Sequence, residues 1–98
     1  MRAREIRRVL DEGRPSHGKR VVIFLAPGPG RAAVIAGKKV GKAVQRNRAR
    51  RVLRAAWPQV SPMAPDADAV LVARAGILGA KTQDLVNEMS ELLGGSGR

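Results

Sequence analysis

The stretch from Lys38 to Arg54, KKVGKAVQRNRARRVLR, holds eight Lys or Arg and no Asp or Glu, while its apolar residues recur at helical spacing. With Ala49 at the centre of an inward arc and about 100° per residue, Val52, Leu53, Ala56 and Trp57 fall within about 80° of it. Asn47, Arg48, Arg50, Arg51 and Arg54 take an opposing arc of about 160°. Such a helix has a core face and a cationic face. The first needs another layer to cover it, and the second is suited to meet phosphates.

At 98 residues the chain suffices for one domain with a single modest core. Its aromatics are Phe24 and Trp57 only, so that core is aliphatic. The net charge of +11 is unevenly placed: from Gly13 to Pro65 there are twelve Lys or Arg and no carboxylate. Any fold of that stretch projects uncompensated positive potential, which implies a polyanionic partner. The lack of cysteine removes disulfides and thiolate metal sites and fits a reducing cytoplasm. His17 is the only histidine, which removes a histidine-based zinc site, and no metal ligand set is expected. The opening MRAREIRRVL lacks the apolar run of a signal peptide, and no run approaches the roughly 20 apolar residues of a membrane span. A soluble cytoplasmic protein with no membrane partner is expected.

Arg4 to Glu12 carries Ile6, Val9 and Leu10 as a helical stripe closed by Gly13. Lys19 to Ala26 (KRVVIFLA) reads as a strand, and Pro27-Gly28-Pro29-Gly30 as the turn that ends it. Arg31 to Lys38 then reads as the return strand of a hairpin. The basic helix is expected from about Lys42 to Trp57, stopped by Pro58. After a loop holding Pro62 and Pro65 comes a second strong strand, Ala67 to Ala73, and then a helix with Thr82 as N-cap, Asp84 in its first turn and Leu85, Val86, Met89, Leu92 and Leu93 inward. GGSGR reads as a disordered tail, giving a domain of residues 1–93 and a tail of 94–98. The order α-β-β-α-β-α makes the fold class α+β, a small α-β sandwich.

The strongest candidate for chemistry is Arg46-Asn47-Arg48 with Arg50, Arg51 and Arg54. Guanidinium groups make planar bidentate phosphate contacts, and an Asn can bond a base edge, a 2′-hydroxyl or a neighbouring side chain. An ordinary solvated face would mix signs for i, i+4 pairing, and here no acid is within reach along the chain. Lys38, Lys39 and Lys42 surround Gly41 at a strand-to-helix junction, where backbone N–H groups can approach an anion, although the P-loop spacing is absent. Pro27-Gly28-Pro29-Gly30 reads as a turn and His17 as a surface residue. Ser16, Ser61 and Ser90 show no nucleophile pattern, and Asp66 with Asp68 is a weak candidate for a hard cation. No set of residues is able to catalyse a reaction unaided, so no catalytic residue is assigned.

The run from Gly37 to Arg54 closely resembles the protein subunit of bacterial ribonuclease P, whose signature is K-K-x-G-x-A-V-x-R-N-R-x-[KR]-R-[LVI]-[LI]-R. The resemblance extends over nearly the whole chain, through Ile6-x-x-Val9-Leu10-x-x-Gly13, Val21 to Leu25 and Asp68 to Arg74. It implies a sandwich like the second domain of ribosomal protein S5, with a left-handed β-α-β crossover where the general expectation is right-handed. It also implies a function: assisting a catalytic RNA, with Mg²⁺ in the ribonucleoprotein and none on the protein alone, in removing the 5′ leader of precursor tRNA. No protein partner is required. By that resemblance Lys38, Lys39, Lys42, Arg46, Asn47, Arg48, Arg50, Arg51 and Arg54 face the ribonuclease P RNA. A leader cleft would use Ile6, Leu10 and Phe24, and the family commonly has Phe at the first two positions. A ribosomal or other structural RNA-binding protein is the rival reading. A DNA-binding module is disfavoured because a strand, not a helix, precedes the basic helix, and a nuclease acting alone lacks a general base.

Overall fold

The computed structural model describes residues 1–95 and has three helices and one four-stranded sheet. Helix α1 (Ala3–Glu12) is followed by strands β1 (Arg14–His17), β2 (Val21–Pro27) and β3 (Ala32–Ile35), helix α2 (Ala43–Val60), strand β4 (Ala67–Ala73) and helix α3 (Thr82–Gly95). Single 3-10 turns at Lys38–Val40, Ser61–Met63 and Ala75–Ile77 join them. The fold class is α+β, as expected. The helix α3 takes in Gly94 and Gly95, where the sequence places the start of the tail, and the rest of that tail lies outside the described residues.

The sheet order is β1-β2-β4-β3, and this corrects the expected hairpin. Strand β4 lies between β2 and β3, antiparallel to β2 from Val21↔Ala73 to Pro27↔Ala67 and parallel to β3 from Ala32↔Ala69 to Ile35↔Val72. A parallel pair needs a long crossover, and the segment carrying α2 supplies it. The true hairpin is β1 with β2, from Arg14↔Leu25 to His17↔Val22, closed where the Gly18 amide donates to the Val21 carbonyl at 2.8 Å. The strand β1, Arg-Pro-Ser-His, has no apolar alternation to announce it. It forms as an edge because β2 presents an open ladder, and edge strands tolerate polar residues and proline.

Alternation along the strands divides the apolar residues between two faces. Val21, Ile23, Ala69, Leu71 and Ala73 pack with Ala49, Val52, Leu53, Ala56, Trp57 and Val60 of α2 and with Leu85 and Met89 of α3. Each fully buried aliphatic side chain there contributes about 1.5–3 kcal/mol. The expected inward arc of α2 is the buried one, extended by Val60. Pro58 does not stop the helix. It costs the hydrogen bond to the Arg54 carbonyl, yet its ring sits on the exposed side, while Trp57 and Val60 are held in the core on either side of it. On the other face Phe24, Ala26, Val70, Val72, Ala33 and Ile35 meet Ile6, Val9 and Leu10 of α1.

Helix α1 is fastened to the sheet by a buried carboxylate. Asp68 is wholly inaccessible to solvent. Its Oδ2 accepts from Arg8 Nη2 at 2.9 Å and Arg31 Nη2 at 2.8 Å, and its Oδ1 from the Arg31 amide at 2.9 Å. Arg31 also pairs with Glu5 of α1. The weak cation-site reading of Asp66 with Asp68 is thereby corrected, since two guanidinium groups already neutralise Asp68.

Candidate nucleic-acid interface

Ion pairing sorts the cations of this chain. Among the described residues every ion pair is made by Arg7, Arg8, Arg20 or Arg31, with Asp11, Asp68, Glu88 and Glu5 as the acids. None of the eight Lys and Arg between Lys38 and Arg54 takes part. The carboxylates that fold next to the sheet and α1 are thus kept away from the cationic face of α2, where a neutralised face would exert no pull on phosphate.

The members of that face are not equivalent. Arg51 and Arg54 are exposed and Arg46 half-buried, and their guanidinium groups make no hydrogen bond within the described residues. Arg48 donates through Nη2 to the Ala80 carbonyl at 3.1 Å, which ties α2 to the loop before α3. Arg50 flanks the buried arc, donates to Asn47 Oδ1 and reaches the Ala36 carbonyl at 3.5 Å. With its oxygen engaged, Asn47 offers solvent its amide N–H groups, so it is set to meet acceptors: a phosphate oxygen, a ribose oxygen or a base carbonyl. Residue types suggested the face; the division into tethered and free arginines depends on Ala36 and Ala80, which are remote in sequence.

At the junction, Lys38 and Lys39 lie in a 3-10 turn, exposed ahead of α2, so the expected strand does not reach Lys38. Gly41 adopts φ 140°, a conformation that other residues rarely take, and so reverses the chain into the helix. The Lys42 amide donates to Gln45 Oε1 at 2.8 Å and the Gly41 amide to the Lys38 carbonyl at 3.1 Å. These two amides are already satisfied, which corrects the picture of a backbone cradle at Gly41. The positive charge exposed there is that of the ammonium groups of Lys38, Lys39 and Lys42.

Ile6, Leu10 and Phe24 are brought together as partly buried members of one apolar cluster between α1 and the sheet. A second depression of about 500 Å³, lined by Met1, Ile6, Ala33, Arg54 and Trp57 among others, connects the α1 side to the cationic helix around the β3 edge. No helix of the described residues is long and apolar enough to cross a membrane.

Comparison with known proteins shows a shared family description and a shared fold. The family model described as Ribonuclease P matches residues 1–96. The chain is 41% identical over 91 residues to the ribonuclease P protein component of a Nitratiruptor species, covering 92% of this chain and 84% of that one. It is 31% identical over 86 residues to the protein of the same description from Coprothermobacter proteolyticus, covering 87% and 72%. Two solved structures share the fold: the RNase P protein of Staphylococcus aureus, with TM-score 0.78, 18% identity and coverage of 98% and 92%, and that of Thermotoga maritima, with TM-score 0.76, 19% identity and coverage of 95% and 93%.

Proposed function

The chain belongs to the ribonuclease P protein family, and from that premise we propose that it binds the RNA subunit through α2 and helps that RNA to cleave the 5′ leader from precursor tRNA. The observation that carries the reading is the set of eight unpaired cations on and before α2, in a protein whose ion pairs, among the described residues, are all made elsewhere. Arg46, Arg51 and Arg54 neutralise phosphates directly. Arg48 and Arg50, already held by protein carbonyls, fix the face and orient Asn47. Lys38, Lys39 and Lys42 extend the contact to the start of the helix.

In this proposal the RNA performs the hydrolysis and holds the Mg²⁺ ions. The carboxylates nearest the sheet are engaged by arginine, and no three metal-ligating side chains converge among the described residues. The protein's part is to anchor, to lower the repulsion between two RNAs, and to receive the leader along Ile6, Leu10 and Phe24. Its place of action is the cytoplasm.

Reconstitution tests the assignment. With a bacterial ribonuclease P RNA at low Mg²⁺ the protein should raise the rate of precursor-tRNA cleavage, and alone it should cleave nothing. Cleavage by the protein alone, or tight binding to the RNA without stimulation, would replace this reading by a nuclease or a structural RNA-binding role. The leader contact has its own test. Phe24→Leu keeps apolar volume and removes the ring, so binding of a precursor with its leader should weaken about five-fold, by about 1 kcal/mol, while binding of the leaderless product stays unchanged. Equal weakening of both would place the leader away from Phe24.

A further inference from the structure

Helix α3 begins beside Ala80, which Arg48 of α2 holds, and ends where a side chain on Gly94 would meet Met63 just beyond α2. The two helices therefore run in the same direction, with both N-termini at one end of the molecule. The turn Lys38–Val40 packs there on the turn Ala75–Ile77, and both Val40 and Ile77 are buried. Gly76 in turn abuts the Lys19 carbonyl, at 2.6 Å from the position a Cβ would take, and Arg74 Nη1 donates to the Gly18 carbonyl at 2.9 Å. The chain of contacts runs from α2 around the end of the sheet, and it carries three further exposed cations: Lys81, Arg74 and Lys19.

None of the three makes an ion pair among the described residues. Of the nearby acids, Glu88 is held by another cation and Asp84 caps a backbone amide. Glu88 pairs with Arg20 at 3.0 Å and accepts from its amide at 2.9 Å, and Asp84 accepts from the Lys81 amide at 2.9 Å. Asp84, Glu88 and Glu91 of α3 line a cleft together with Lys19, Arg20 and Arg74, and among the described residues none of these acids forms an ion pair with Lys19 or Arg74. We propose that Lys19, Arg74 and Lys81 form a second backbone-contact surface for the same RNA subunit, continuous with Lys38 and Lys39, so that the RNA wraps around the sheet end as well as lying along α2. This rests on the α2 reading. The partner is the RNA subunit and not the leader because this surface sits at the Val21↔Ala73 end of the sheet, whereas Arg8 fastens α1 to Asp68 near the opposite, Pro27↔Ala67 end.

The test is the salt dependence of binding of the full chain to ribonuclease P RNA. Lys19→Gln with Lys81→Gln removes two charges without touching the Arg74–Gly18 bond, and should reduce the slope of log affinity against log salt by about 1.4–1.8. Adding Arg74→Gln should reduce it by about 2–2.7 in all, with unchanged circular dichroism showing that the fold persists. A wild-type slope in the double variant overturns the proposal. So does a double variant that keeps the wild-type slope on the RNA subunit but loses binding to precursor tRNA, since the surface would then serve the substrate. A parallel variant of α2 separates the two readings: if it flattens the slope and the sheet-end variant does not, only the second surface fails; if neither does, the α2 assignment fails with it.

Discussion

Replacing Arg46, Arg51 and Arg54 together by Gln should flatten the salt dependence of RNA binding by about 2–2.7 units and weaken binding at moderate salt by roughly a hundred-fold or more. The three are chosen because they have no protein partner within the described residues, so their loss removes counterion release and charge-assisted bonds without loosening the fold. Arg48 and Arg50 should behave differently. Each donates to a carbonyl of another segment, Ala80 or Ala36, and Arg50 also holds Asn47. Arg50→Gln should therefore cost affinity beyond the one unit of charge, because Asn47 is released from its orientation. Filter-binding titrations between about 50 and 200 mM salt separate the cases, since that interval spans several decades in affinity for six or more phosphate contacts. An unchanged slope in the triple variant would move the RNA surface away from α2.

The second large effect is on stability. Asp68→Ala should lower the unfolding free energy by about 3 kcal/mol, near the lower end of the cost of breaking a buried ion pair, because Arg8 and Arg31 keep part of their hydration. For a domain of this size that is a large share of the total. The Arg31 side-chain hydrogen bond, opposed by burial and aided by the Arg31 amide, holds the Asp68 carboxyl below its ordinary value of 3.8. The unfolded chain therefore binds this proton more readily than the folded one. The stabilisation is complete above about pH 4 and erodes as pH falls through the lower folded value. Urea titrations from pH 3 to 7 should show this acid-side loss in the native protein and not in Asp68→Asn. Persistence of the same acid slope in the variant would assign it to another carboxylate. Gly28→Ala gives an independent check, since its Cβ would press into the Asp68 carboxylate and should destabilise without removing a charge.

How much of this is legible in the sequence depends on whether the signal is local. The buried arc of α2 follows from spacing alone, because a helix carries its own period, and the structure agrees at Ala49, Val52, Leu53, Ala56 and Trp57. The strands Val21–Pro27 and Ala67–Ala73 announce themselves by β-branched runs. Their neighbours do not. A strand's pattern says which face is buried and is silent about which edge it joins, so β3 reads as the partner of β2 when β4 lies between them. The edge β1 has only backbone bonds to recommend it. Asp68 is visible as an acid beside a strand, but its two arginines come from α1 and from the loop before β3, and only the fold puts them there. The same limit hides the tethering of Arg48 and Arg50 and the cations at the sheet end.

The central position of β4 also governs when the molecule becomes whole during synthesis. Until Ala73 has left the ribosome, β2 and β3 have no common neighbour, and the apolar stripe of α2 has only part of a surface to lie on. The pairing of Val21 with Ala73 closes a long loop, a non-local contact of the sort that slows folding. A nascent chain arrested before that point would carry all eight cations of Lys38–Arg54 on a segment without a rigid base. The rigid base beneath the arginines is thus completed only after the last strand has paired, with α3 closing the core behind it.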